Sequence, residues 1–240
     1  MFFGGRFMIR DRETLNQLLA LIDRFVTERL IPRESELAES GSLPEDILDE
    51  MKAMGLFGLT IPEEYGGLGL TMEEEIEVAI SLGKTSPAFR SVMGTNNGIG
   101  SAAIVFNGTE EQKKRYLPKY ASGEWISCFC LTEPEAGSDA ASLKTSAVRD
   151  GDHYVINGTK RYITNAKVAD TFNVMARTNP SIKGARGISS FIVEKDFKGI
   201  TLGSVDKKMG QAGSMTCDVI FEDCRVPAEN IIGAEGEGFI

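Results

Sequence analysis

The 240-residue sequence predicts an α+β protein: an all-helical N-terminal domain over residues 1–123, then an antiparallel β-barrel or sandwich domain over 124–233. Three observations carry that prediction. Before residue 123 the apolar side chains recur every three to four positions, the spacing of a one-sided helix. Beyond it they alternate, the two-residue period of a strand with one buried face. Between the two lies Ser122-Gly123-Glu124, a small-residue break. Residues 234–240 read as the start of a further element, and the sequence predicts that a further domain follows.

In the first half, Leu15, Leu18, Leu19, Ile22, Phe25, Val26 and Leu30 form one helical stripe. Pro32 is expected to kink or end it, since proline lacks a donor and crowds the preceding turn. Ser42-Leu-Pro-Glu45 has the form of a capping box, with Ile47, Leu48, Met51 and Met54 as the next stripe and Gly55 as its stop. Thr71-Met-Glu-Glu74 and Thr109-Glu-Glu-Gln112 cap two more helices, the first with Glu73, Glu74 and Glu75 at its positive end. Ser91 to Phe106 reads as one helix rich in small residues. In the second half, Arg149-Asp-Gly-Asp-His153 and Ile156-Asn-Gly-Thr159 read as hairpin turns. Strands are expected at 125–131, at 172–176, at 189–193 and through Cys217, Val219 and Phe221. Many short strands with frequent turns argue for a barrel or sandwich.

Composition narrows the function. The chain is 42% hydrophobic and 25% charged, ordinary globular values that exclude disordered and fibrous classes. With 35 acidic against 26 basic residues the net charge is −9, which argues against nucleic acid and anionic membrane as partners. No apolar run is long enough to span a membrane, and Met1-Phe-Phe-Gly-Gly-Arg6 lacks the order of a signal peptide. Cys128, Cys130, Cys217 and Cys224 form no CxxC pair, and His153 is the one histidine. No metal site is predicted, and reduced thiols point to a cytoplasmic protein. Gly83-Lys84-Thr85 imitates a phosphate loop, but Val78 stands where that pattern needs glycine.

Two segments carry chemistry. Cys130-Leu-Thr-Glu-Pro-Glu-Ala-Gly-Ser-Asp-Ala-Ala-Ser142 follows an apolar strand. Thr132 sits where that strand opens, and Ala136-Gly-Ser-Asp139 is a small-residue turn whose N–H groups suit a phosphate. In Arg161-Tyr-Ile-Thr-Asn165, Tyr162 and Thr164 are two residues apart on a strand, so a flat face and a hydroxyl share one side. That pair suits a planar redox ring. In isolation each segment also reads as a plain polar turn or half-buried strand.

Together these segments resemble the acyl-CoA dehydrogenase family, and the resemblance runs through nearly the whole chain. It rests on Cys130 to Ser142, on Gly55 to Gly69 with Ile61-Pro-Glu-Glu-Tyr65, and on Glu111-Gln-Lys-Lys-Arg-Tyr-Leu-Pro118. It continues in Ile156 to Asn165, Val219-Ile-Phe-Glu-Asp223 and Val226-Pro-Ala-Glu-Asn230. The resemblance implies a flavoprotein that removes two hydrogens from the α and β carbons of an acyl-CoA thioester and passes electrons to electron-transfer flavoprotein. It implies FAD as cofactor, with Phe129, Cys130, Leu131, Thr132, Gly137, Ser138, Tyr162, Ile163 and Thr164 as its binding residues. Thr132 would meet the pyrimidine edge, Ser138 the pyrophosphate and the CoA, and Thr164 the N5 side of the ring. Glu135 replaces a glycine common in the family. Ser138, Arg90, Ser91, Thr95 and Ile99 would line the substrate, the last three spaced four apart on one helical face.

Arg90 has two readings: an arginine paired with a surface acid, or, as in glutaryl-CoA dehydrogenases, a partner for a second substrate carboxylate. The family's catalytic base is a glutamate in a C-terminal helical domain that also makes the homo-oligomer. No catalytic residue is assigned within these 240, and the chain is expected to be a truncated form with little activity of its own. An acyl-CoA oxidase or flavin monooxygenase relative, and a non-catalytic flavin and acyl-CoA binding fragment, are the alternatives.

Overall fold

The computed structural model describes residues 11–239, so the Met1–Arg6 reading lies outside the described residues. Helices occupy the first half: α1 (Arg12–Phe25), α2 (Glu34–Ser40), α3 (Glu45–Ala53), α4 (Met72–Leu82), α5 (Pro87–Asn97), α6 (Ala102–Asn107) and α7 (Glu110–Ser122). Strands follow: β1 (Ser127–Cys130), β2 (Ser146–Asp150), β3 (His153–Thr164), β4 (Thr171–Arg177), β5 (Ile188–Glu194), β6 (Ile200–Leu202), β7 (Thr216–Pro227) and β8 (Ile231–Ile232). The helical half followed by a mostly antiparallel sheet is the α+β arrangement expected.

Asp11 starts α1 by accepting from the N–H groups of Glu13 and Thr14, and Leu15, Ile22 and Phe25 are buried along it. Pro32 does not end the run. The chain widens into a π turn over Val26–Leu30, tightens into a 3₁₀ turn over Ile31–Arg33, and continues as α2 until Gly41 at φ 66°. Changing the winding around the proline moves the carbonyl its ring would strike. The Ser42 capping box is not formed: α3 starts at Glu45, after Pro44 in extended geometry, with no side-chain cap. Proline drives the residue before it away from the helical region, so Leu43 cannot belong to a first turn. Thr71 and Thr109 do form reciprocal capping boxes with Glu74 and Gln112.

The helix expected over 91–106 is broken between α5 and α6. Gly98 leaves helical geometry (φ −133°, ψ −109°), and the Gly100 N–H returns to the Thr95 carbonyl at 2.9 Å. A Cβ on Gly100 would strike the Ser127 side chain and lie 2.8 Å from the Thr95 oxygen, so β1 passes where the helix would have continued.

The sheet runs β6-β7-β3-β2-β4-β5-β8, with β1 parallel to β4 from Ser127↔Thr171 to Cys130↔Val174. β2 meets β4 in parallel at Ser146↔Arg177, and the remaining ladders are antiparallel. Tyr154 on β3 and Phe191 on β5 touch edge to face at 4.9 Å, and Phe172 on β4 lies 6.5 Å from Phe221 on β7. Neither pair belongs to neighbouring strands, so the sheet curls around one apolar interior. Asn157-Gly158 is not a hairpin turn. It is a bulge within β3, where Gly158 (φ 151°) packs against Thr145 and the register with β7 shifts. The outer side of β5 and β8 places Ile192 and Ile232 against Tyr116, Leu117 and Tyr120 of α7. Asn96 fastens the two halves: its Nδ2 donates to the carbonyls of Tyr120 and Trp125, and its Oδ1 accepts from Ser127 N–H at 2.8 Å.

Candidate functional site

Strand alternation sorts the residues of β1. Cys128 and Cys130 point into the barrel interior, their sulfurs 3.9 Å apart, while Phe129 and Leu131 lie half-exposed against Ala136, Leu143, Met175 and Ile188. The Cys130 side chain therefore cannot face a ligand. The same holds for Ile163, which is buried in the interior cluster. These two expected binding residues have only backbone to offer a ligand.

Thr132 begins the loop. Its carbonyl accepts from Arg161 N–H at 2.7 Å, which sets the first segment directly beside the second. Among the described residues its own N–H and hydroxyl make no hydrogen bond. Lys160 locks the junction: its ammonium, 0% exposed, donates to the Leu131 carbonyl at 3.1 Å and to Glu133 Oε1 at 2.8 Å. Glu133 also accepts from the N–H groups of Lys144 (2.6 Å) and Thr145 (2.9 Å). Burial pushes the Glu133 carboxyl up, but these donors and the Lys160 charge outweigh it and hold it below the ordinary carboxylate range. Burial drives the Lys160 ammonium down from its ordinary value, against the pull of Glu133.

Past Glu133 the chain turns through paired Glu133–Ala136 backbone bonds of 3.0 and 3.2 Å and presents Gly137 and Ser138 to solvent. Among the described residues the N–H groups of Gly137 and Ser138 have no acceptor, and the Cβ position of Gly137 opens onto free space. Glu135 does not face this rim uncompensated, because it is ion-paired with Lys144.

In β3, Tyr162 has left-handed geometry (φ 59°) at a register shift. The expected plain strand is thus a bulge. Exposure still alternates around buried Ile163, leaving Tyr162 58% exposed and Thr164 half-buried. The Arg161 guanidinium sits 5.0 Å from the centre of the Tyr162 ring and 3.5 Å from Asp218. Asn165 follows, also left-handed (φ 65°), and its Nδ2 reaches α5: Ser91 O at 3.2 Å, Val92 O at 3.0 Å and Thr95 Oγ at 2.8 Å.

The candidate substrate residues divide. Ser91 donates to Pro87 O at 3.0 Å and lies 3.4 Å from Gln211, while Thr95 is buried with its oxygen engaged by Asn165. Ile99 lies beyond the end of α5, so the common face expected for all three stops at Thr95. Arg90 is exposed near Glu75; burial pushes that carboxyl up and the Arg90 charge opposes it. Lys160 and Asn165 were not singled out by spacing. The bulges at Gly158 and Tyr162 break the alternation that would have marked Lys160 as inward-pointing.

The geometry defines a class: an α+β protein in which a loop whose hydroxyl and N–H donors have no partner among the described residues is joined to a strand bulge bearing an exposed aromatic ring. Residues 12–124 match the family model for the acyl-CoA dehydrogenase N-terminal domain, and residues 128–224 match that for the middle domain. The chain belongs to the acyl-CoA dehydrogenase family. It is 40% identical over 232 residues to the short-chain specific acyl-CoA dehydrogenase of Clostridium acetobutylicum, covering 97% of this chain and 60% of that protein. Its fold is similar (TM-score 0.90, 39% identity) to a chain from the structural study of the electron transferring flavoprotein of Acidaminococcus fermentans, covering 98% of this chain and 61% of that one. It is also similar (TM-score 0.86, 37% identity) to an acyl-CoA dehydrogenase complexed with FAD from Bacillus anthracis, covering 95% and 40%. The chain thus spans about three fifths of the length of the Clostridium relative.

Proposed function

We propose that this chain forms the flavin-holding and acyl-CoA-holding walls of an FAD-dependent acyl-CoA dehydrogenase. One observation carries the reading: Arg161 N–H and the Lys160 ammonium bind the carbonyls of Thr132 and Leu131, joining both segments while leaving the Thr132 donors free. The donor set fits FAD, which has carbonyl and pyrophosphate acceptors and a planar ring. Thr132 would hold the pyrimidine edge, the N–H groups of Gly137 and Ser138 with the Ser138 hydroxyl would hold phosphate oxygens, and Tyr162 and Thr164 would flank the ring. Bound FAD supplies the acceptor for the hydride leaving the acyl β carbon. Fixed donors at Thr132 favour the negative charge that such a transfer brings to that edge. The α proton needs a separate base. Glu133 is unsuited, because Lys160, Lys144 and Thr145 occupy its oxygens, and Glu135 lies exposed on the surface in an ion pair with Lys144.

The similarity to a chain from the electron transferring flavoprotein study supports such a flavoprotein as electron acceptor. Among the described residues no helix is long and apolar enough to cross a membrane. The test is co-elution of added FAD with the chain on gel filtration, followed by its visible absorbance. Wild type should retain colour and Thr132→Val should retain less; a colourless wild type would refute the reading. In the whole protein, dye reduction on butyryl-CoA should accompany binding. Hydrogen peroxide formed without an added acceptor would replace the dehydrogenase by an oxidase.

A further inference from the structure

Asn165 joins three parts of the molecule. Its backbone closes the β3–β7 ladder just after Thr164↔Thr216, with its N–H on Met215 O at 2.9 Å. Its side chain is buried, and its carboxamide nitrogen reaches two α5 carbonyls and the Thr95 hydroxyl within 3.2 Å. Left-handed geometry restricts the residue type, since asparagine and aspartate tolerate it better than most other non-glycine residues, and the contacts to α5 then decide between the two. Two N–H hydrogens shared among three acceptors make the contact directional. An aspartate in its place would aim acceptors at the Ser91 and Val92 carbonyls, with only the Thr95 hydroxyl able to donate to it. With its oxygen accepting from Asn165, Thr95 must send its own proton elsewhere.

We infer that Asn165 is a positioning residue that sets the gap between α5 and the Tyr162–Thr164 segment, and through it the fit of the acyl group. The inference rests on the flavin and acyl-CoA reading above. Asn165 itself touches neither reactant: it acts through Ser91, Val92 and Thr95 on one side and through the strand end on the other. The Thr132 side of the ring's wall is braced separately, by Lys160 and Arg161 on the carbonyls of Leu131 and Thr132, so loss of Asn165 loosens the Tyr162–Thr164 side without releasing Thr132. Flavin affinity and acyl affinity are therefore expected to respond differently to its loss.

The experiment uses the whole holoprotein with Asn165→Gly, which keeps the left-handed backbone and removes the amide, and Asn165→Asp, which keeps the shape and removes the donors. The butyryl-CoA KM should rise about tenfold in both, the cost of a lost buried hydrogen bond, while kcat and the FAD Kd stay within about twofold. A KM unchanged in both variants, or an FAD Kd that weakens as much as KM, overturns the inference. If wild type binds no FAD, the function proposal fails, and the clamp is judged by amide hydrogen exchange in the FAD-free chain. Faster exchange over residues 91–97 in Asn165→Gly supports it, and unchanged exchange there refutes it.

Discussion

Replacing Lys160 by methionine tests whether the two site segments are held together by charge. The ammonium is fully buried and the Glu133 side chain nearly so, with an N–O distance of 2.8 Å. Methionine fills a similar volume but strands the Glu133 carboxylate and frees the Leu131 carbonyl. Breaking a buried pair from one side costs about 3–5 kcal/mol. The N–H groups of Lys144 and Thr145 still hold Glu133, which places the expected loss at the lower end, about 3 kcal/mol. For a chain of this size that corresponds to a drop in Tm of about 6–12 °C. Urea unfolding at neutral pH reads the difference directly, provided the slope m is unchanged. The neutral pair Glu133→Gln/Lys160→Met should be more stable than the sum of its single changes predicts, because neither charge is then stranded. A Lys160→Met loss below about 1 kcal/mol, or strict additivity, would refute the reasoning.

Other expectations follow from the same geometry. Glu133 has a folded-state pKa below its ordinary value of 4.5, so its stabilisation is full above that value and is lost as pH falls through the lower, folded one. The stability gap between wild type and Glu133→Gln should therefore narrow on acidification below pH 4.5, as read by urea midpoints at stepped pH. Gly100→Ala should cost about 1–3 kcal/mol, since its Cβ meets the Ser127 side chain and the Thr95 carbonyl; an unchanged Tm would contradict that contact. Thr109→Ala should cost about 1 kcal/mol through loss of the cap on Gln112 N–H. Ser42→Ala, whose hydroxyl caps no helix, should stay within about 0.5 kcal/mol. Thermal melts of the two caps side by side check both.

The capping boxes at Thr71 and Thr109, the stop at Gly55 and the turn at Gly151 were legible in the sequence because each is set by neighbours within four residues. So were the strands at 172–176 and 189–193, whose apolar content exceeds what a surface segment would carry. The strand-end hydroxyl of Thr132 and the glycine turn after it were legible too, through motif and resemblance. Local signals failed where distant chain intervenes. The helix through Gly98 and Gly100 breaks because β1 lies across it, and Asn157-Gly158 bulges within β3 rather than turning because Thr145 and β7 take up its two sides.

Residue types alone determined that this protein has a helical half, a strand half and two polar segments, around Thr132 and Tyr162, set against apolar strands. Only the tertiary structure decided that Cys130 and Ile163 face inward, that Glu133 is locked by Lys160, and that Thr95 is bound to Asn165. The reason is one of range. Periodicity and capping are energies between near neighbours, whereas the side a bulged strand turns inward, and the partner a buried charge finds, depend on segments 27 to 70 residues away.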